Sequence, residues 1–279
     1  MNSKLKLWHR AVFLFHRADA PGWVGPFKEA GYEDYRVEYG LMTDEGKKLT
    51  PDIVAEGDEY WSIFELTTGQ SVKDGKLEEY QQLRPEGLTN IGLDPKPQGP
   101  VCLVGRSEHL PHEESPQIIL GESLDGQNLE DIDDSGLESS LIQSIGRPLD
   151  EVPDISFTII PECSSEEVRE GLVPVIVSLF NPDRPTMSTV DMAEKALERL
   201  ADKVPITEKE SLATRIEHEL EGLLNGQDPH LSEYLEETGD GFHVLESVKI
   251  HPNTLQKVRE ILEAWIEGPT RLDDFVDED

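Results

Sequence analysis

Cysteine is almost missing from this chain of 279 residues, which holds only Cys102 and Cys163, with no CxxC pair. Two distant thiols exclude a disulfide framework and point to a reducing, cytoplasmic interior. Lys and Arg are scarce too: 25 of them stand against 58 Asp and Glu, for a formal charge of −33. That balance excludes a polybasic nucleic-acid coat. No apolar run is long enough to span a bilayer. Leu7 to Phe15, behind Lys4 and Lys6, imitates a secretion signal. His9, Arg10, His16 and Arg17 interrupt it and no small-residue cleavage site follows, so no membrane partner is expected. The GxxxxGK[ST] phosphate loop and the Gly-x-Ser-x-Gly elbow are also absent, which leaves nucleotide hydrolysis and serine-esterase chemistry without support.

What is present is a periodic apolar fraction of 36%, enough for a core in one large or two modest domains. The charge is unevenly placed. Residues 1–100 carry 12 basic and 17 acidic side chains, a net of −5, whereas residues 101–279 carry 13 and 41, a net of −28. Residues 1–40 come out at +1, so a face that meets a polyanion is expected there. A composition this acidic, with Lys and Arg both scarce, resembles that of proteins from salt-accumulating halophiles. In molar salt the Debye length is about 3 Å, so such a chain can still approach DNA through local contacts. The same salt weakens phosphate contacts through counterion release.

Leu5, Trp8, Val12 and Phe15 fall at helical spacing. After a Pro/Gly stretch, Tyr35 to Met42, Asp52 to Glu56 and Tyr60 to Thr67 read as a meander of three strands, with turns at Asp44-Glu45-Gly46 and at Gly57. Residues 74–83 read as a helix and Gly99 to Val104 as a buried strand. Residues 107–151, rich in Glu, Asp, Ser and Gly, read as an acidic insertion. Ile155 to Ile160 has strand character, Glu166 to Phe180 is helical, and the two prolines within Asn181 to Pro185 mark a boundary. This gives an α/β domain over residues 1–182 and a second module over 186–268. The module has helices, a capping-box signature at Thr207 and Glu210, a turn at Gly239-Asp240-Gly241, an extended Phe242 to Ile250, and a last helix through Leu255, Val258, Leu262 and Trp265. Helices with an extended wing predict a mainly helical, winged-helix-like module. Its 8 basic and 18 acidic residues favour self-association or a protein partner over DNA reading. Residues 269–279 form an acidic tail.

The chemically informative stretch is Pro51-Asp52-Ile53-Val54, then Phe64-Glu65-Leu66-Thr67, then a helix bearing Lys76, Tyr80 and Gln81. Carboxylates on adjacent strands converge on one hard, oxygen-seeking cation, which binds a phosphate and lowers the pKa of a bound water. The arrangement resembles the core of the PD-(D/E)xK, restriction-endonuclease-like nuclease superfamily: a Pro-Asp opening one strand, a carboxylate on the next, a lysine two residues later and a closing helix. The resemblance covers residues 1–105, with Ile155 to Phe180 completing the sheet and its covering helix.

The resemblance implies an α/β fold, with a restriction-endonuclease-like mixed sheet flanked by helices. It implies Mg²⁺ or Mn²⁺ held by Asp52, Glu65 and the Leu66 backbone carbonyl, and hydrolysis of DNA phosphodiesters, in host defence or a mobile element. Thr67 stands where the family has its lysine. In this superfamily the lysine is sometimes replaced or supplied from the following helix, which makes Lys76, ahead of Lys73, the positive partner. Tyr80 and Gln81 on that helix, with Thr67, are the implied substrate contacts. A further upstream carboxylate is often present. Glu29, Glu33 and Glu38 are open, with Glu38 preferred because it lies on the strand before Asp52. The alternative is a catalytically inactive nuclease-fold subunit that binds or scaffolds within a protein complex.

Other constellations are weaker. Asp131-Ile132-Asp133-Asp134-Ser135-Gly136 opens like an EF-hand loop, but the twelfth position is Ile142 where a bidentate Glu is required. His109 and His112, with Cys102 and Cys163, lack the spacing of a zinc site.

Overall fold

Ile53-Val54-Ala55 and Trp61-Ser62-Ile63-Phe64 are continuous rather than alternating runs, the pattern of strands covered on both faces. In the computed structural model these runs lie in the interior of a six-stranded sheet. The structure describes residues 3–15, 25–29, 31–32, 34–58, 60–67, 75–107, 110, 116–121, 123–127, 146, 157–183, 185–225 and 231–267. The chain divides into two units, residues 1–155 with 202–205, and residues 156–201 with 206–279.

The first unit contains α1 (Ser3–Phe13), α2 (Pro26–Glu29), β1 (Asp34–Val37), β2 (Leu41–Met42), β3 (Lys48–Leu49), β4 (Ile53–Glu56), β5 (Trp61–Thr67), α3 (Lys76–Tyr80), α4 (Glu86–Thr89), β6 (Gln98–Gly105), β7 (Gln117–Leu120) and β8 (Leu124–Gln127). The sheet order is β1-β4-β5-β6-β7-β8, with β5–β6 and β6–β7 parallel and the other pairs antiparallel. This is the expected α/β class: a mixed sheet flanked by helices. The meander is present, with β2 and β3 forming a separate small hairpin inside it. Two strands, β7 and β8, fall within the stretch read from sequence as an acidic insertion. Ile118, Ile119 and Leu120 are buried there, and apolar burial explains why that part joins the sheet.

The two faces of β5 carry different cores, because successive side chains alternate. Phe64 packs with Phe15, Phe27 and Tyr32, ring centroids 4.6 to 5.7 Å apart, and Tyr32 hydrogen-bonds Ser62 at 2.6 Å. Trp61 and Ile63 face the other way, into a cluster with Val54, Tyr80, Leu83 and Leu88 from the α3–α4 side. Burying a side chain such as Phe64 stabilises the fold by about 1.5–3 kcal/mol. At the outer edge of the sheet, the Val37 amide donates to the Lys203 carbonyl at 2.8 Å. The Lys203 ammonium bonds Asp34 at 2.5 Å and lies 5.3 Å from the centre of the Tyr35 ring.

The second unit contains α5 (Ser165–Leu179), α6 (Thr189–Leu197), a 3₁₀ turn (Glu198–Leu200), α7 (Ile206–Asn225), a 3₁₀ turn (Leu231–Glu233), the antiparallel pair β9 (Leu235–Thr238) and β10 (Gly241–Val244), and α8 (Pro252–Glu267). Capping boxes open α5 at Ser164 and Glu167 and α6 at Ser188 and Asp191. The expected box at Thr207 does not form, because α7 already begins at Ile206, directly after Pro205. The domain boundary also moves. Val168, Leu172, Val175, Ile176 and Leu179 of α5 are buried, and α5 packs on α6, α7 and α8, so it belongs to this unit. Residues 157–160 form no strand: the Thr158 amide donates to the Ala196 carbonyl at 2.8 Å and its hydroxyl to the Gly171 carbonyl at 2.8 Å. The tail 269–279 lies outside the described residues. Among the described residues no helix is long and apolar enough to cross a membrane.

Candidate functional site

The expected carboxylates follow β1 (Glu38), precede β4 (Asp52) and lie on β5 (Glu65). Glu38 is not on a strand. It directly follows β1 with φ 58, a left-handed conformation that disfavours a side-chain-bearing residue by about 1–2 kcal/mol. The kink is held by the Glu38 amide, which donates to the Asp52 carbonyl at 3.1 Å. Asp52 itself precedes β4 by one residue, and its Oδ2 accepts from the Leu66 amide at 2.5 Å. The Leu66 N–H thus anchors Asp52 beside the Leu66 carbonyl to which the resemblance gives a ligand role. Glu38 and Asp52, both half-buried, bring carboxylate oxygens within 4.8 Å of each other.

Glu65 sits on β5, 5% exposed. Its Oε1 pairs with the Lys76 ammonium and its Oε2 accepts from the Tyr80 hydroxyl at 2.8 Å. Lys76 opens α3 and Tyr80 follows one turn later, which puts both side chains on the same helix face. The Lys76 ammonium also lies 5.4 Å from the centre of the Tyr80 ring, and Gln98 on β6 anchors the Tyr80 carbonyl at 2.9 Å.

Burial raises the Tyr80 phenol far above its usual range, and the negative charge of Glu65, with its hydrogen bond, and the charges of Asp52 and Glu38 push it further. Tyr80 therefore stays neutral and acts as a donor. The same fact reads in reverse: three carboxylates act on one hydroxyl, and within this group Lys76 is the balancing ammonium. The donor set is all oxygen, which suits hard cations such as Mg²⁺, Mn²⁺ or Ca²⁺. Oxygens no more than 4.8 Å apart can share one ion at ligand distances of about 2.1–2.4 Å, so Glu38 and Asp52 fit as a chelating pair.

Thr67 is 3% exposed and, two residues beyond Glu65, shares its face of β5. A Cβ at Gly105, its register partner on β6, would lie 2.8 Å from Thr67 Cγ2, so only a compact residue pair fits there. Lys76 brings its ammonium to Glu65 from the helix. Gln81 is exposed as the C-cap of α3, and Glu29 is exposed at the end of α2. Lys73, Glu33, His109, His112 and residues 131–136 lie outside the described residues. Cys102 and Cys163 are buried, and burial pushes the Cys102 thiol up to about 12. The left-handed kink at Glu38 and the Leu66 amide as anchor for Asp52 had no signal in the sequence, since both depend on partners across the sheet. Comparison with protein-family models, with curated proteins and with solved structures gives no match to this chain.

Proposed function

We propose that the first unit is a metal-dependent nuclease that hydrolyses DNA phosphodiesters, a variant of the PD-(D/E)xK arrangement in which a helix lysine replaces the strand lysine. The observation that carries this reading is the Glu38–Asp52 pair, with carboxylate oxygens within 4.8 Å of each other, at the strand end next to Glu65, which Tyr80 and Lys76 hold. The element order α1, three antiparallel strands, α3 and a parallel β6 supports it.

A bound divalent cation supplies Lewis acidity and an acidified water. The chain's own residues do the rest. Asp52 and Glu65 would hold the cation, with Glu38 beside Asp52 as the further carboxylate, and the Leu66 amide fixes the Asp52 carboxylate. Tyr80 holds the Glu65 carboxylate by donating a hydrogen bond to it. Lys76 offers positive charge to the phosphate. In hydrolysis the water oxygen bonds to phosphorus, one ester P–O bond breaks, and the departing alcohol leaves with a proton. Cytoplasmic work in concentrated salt, in host defence or a mobile element, is the setting that the composition and the resemblance favour. The second unit, with its acidic surface, serves self-association or a protein partner.

The second reading, an inactive nuclease-fold subunit with a scaffolding role, draws on the fact that both Glu65 oxygens already have protein partners. Plasmid cleavage with Mg²⁺ or Mn²⁺ in high KCl separates the two. Cutting by the wild type that is lost in Asp52→Ala and Glu65→Ala supports the enzyme. No metal-dependent cutting, or equal cutting by the variants, leaves the scaffold.

A further inference from the structure

A cation that comes to Glu65 meets a competitor already in place. Glu65 Oε2 carries the Tyr80 hydroxyl at 2.8 Å, and Oε1 carries the Lys76 ammonium. The neutral hydroxyl can stay on the carboxylate when a cation arrives. The ammonium is the partner that a cation opposes, because two positive groups on one carboxylate repel each other. Exposure decides which partner moves: the Lys76 side chain is 32% exposed and that of Glu65 is 7%. Glu65 is fixed in an interior strand, whereas Lys76 heads a helix of five residues and reaches inward from its surface. Neighbouring cations have other partners: Lys47 bonds Glu79 at 2.5 Å and Arg84 bonds Asp44 at 2.9 Å.

We infer that Lys76 is a built-in counter-ion of the carboxylate cluster, seated on Glu65 until a divalent cation displaces it toward solvent. The inference rests on the metal-dependent reading above and adds an order of assembly to it. Metal loading and release of the ammonium are one coupled step, so Lys76 becomes available to an anionic phosphate only once the cation is in place. By linkage, an anion that takes up Lys76 also tightens the metal.

The test is Mn²⁺ binding to the full chain, followed by electron paramagnetic resonance at constant KCl, for wild type, Lys76→Met and Lys76→Arg. Removal of the ammonium is expected to tighten Mn²⁺ by about tenfold or more, while Lys76→Arg stays within about threefold of wild type. A second measurement needs no variant to fold: acylation of Lys76 in the wild type, quantified by peptide mass spectrometry, is expected to rise when Mn²⁺ is added. Equal or weaker Mn²⁺ binding by folded Lys76→Met, or Lys76 labelling unchanged by Mn²⁺ that is bound, overturns the inference. In either case, wild-type binding that is lost in Asp52→Asn leaves the metal reading standing. No Mn²⁺ binding by either wild type or Lys76→Met overturns the metal reading itself.

Discussion

The Glu38 amide donates to the Asp52 carbonyl at 3.1 Å, while the two side chains bring carboxylate oxygens within 4.8 Å of each other. One backbone link thus sets the spacing of two like charges, and it does so with Glu38 in a left-handed conformation. Like charges this close disfavour each other's ionised form unless positive charge balances them. Strained backbone of this kind is characteristic of functional sites.

Two substitutions at Glu38 separate its backbone strain from its charge. Glu38→Gln and Glu38→Gly both remove the carboxylate, and both are expected to lower metal-dependent cleavage by about 100-fold or more. Only glycine relieves the left-handed backbone, so Glu38→Gly should be more stable than Glu38→Gln by about 0.5–1 kcal/mol in urea unfolding. The reverse order would mean that the side chain is a structural strut.

The Tyr80 hydroxyl has Glu65 as its close acceptor. Tyr80→Phe leaves that buried carboxylate short of a donor and is expected to lower stability by about 1–3 kcal/mol, read from urea midpoints. Burial raises the Tyr32 phenol as well, against the lowering effect of its Ser62 hydrogen bond. Folded protein therefore keeps both protons at pH values where an unfolded chain, titrating near about 10, loses them. Their contribution to stability is complete below that pH and is lost as pH rises above it. A spectrophotometric titration at 295 nm should have the same folded-state amplitude in wild type, Tyr80→Phe and Tyr32→Phe.

Asp34 titrates in the opposite sense. Burial pushes its carboxyl up, but hydrogen bonds and charge from Arg36 and Lys203 outweigh burial and hold it below the ordinary carboxylate value. A depressed pKa stabilises the fold above the unfolded Asp value of about 3.9 and is lost as pH falls through the folded value. The Asp34 side chain is 41% exposed, so solvent screening keeps the effect small. Asp34→Asn is expected to cost about 0.5–1 kcal/mol at neutral pH, less in high KCl, and nothing in acid. Melting curves across pH and salt check this.

Gly171 lies inside α5, where Ala normally stabilises a helix by about 0.5–1 kcal/mol. Here a Cβ would meet Ile159 Cγ1 at 2.3 Å and the Thr158 carbonyl oxygen at 2.6 Å. The sign reverses: Gly171→Ala is expected to destabilise by about 1–3 kcal/mol in urea unfolding. A stabilised variant would show that the residue 157–160 segment can move off the helix.

Much of the first unit was legible because its signals are local. Pro51-Asp52 ahead of an apolar run marks a strand start, and the turns at Gly46 and Gly57 delimit the neighbouring strands. The spacing of Lys76 and Tyr80 puts them one helical turn apart, and both meet Glu65. What failed depends on distant partners. Phe157 to Ile160 has the composition of a strand, but β-propensity records fit to a half-buried surface, and these residues find that surface against helices instead. Glu38 reads as a strand residue until the Asp52 carbonyl claims its amide. The Thr207–Glu210 pair has the letters of a capping box, yet the helix starts one residue earlier.

Residues 202–205 return to the first unit from a point far along the chain, and the Lys203 carbonyl takes up the Val37 amide on the outermost strand. An unprotected strand border is a template for another molecule's backbone, and covering it is a common guard against stacking into aggregates. A fragment ending at residue 155 keeps the acidic site and all six strands but loses this cover, together with the Lys203–Asp34 ion pair. Such a fragment should associate through β1 in a concentration-dependent way. The solubility of the first unit thus depends on four residues that return to it from far along the chain.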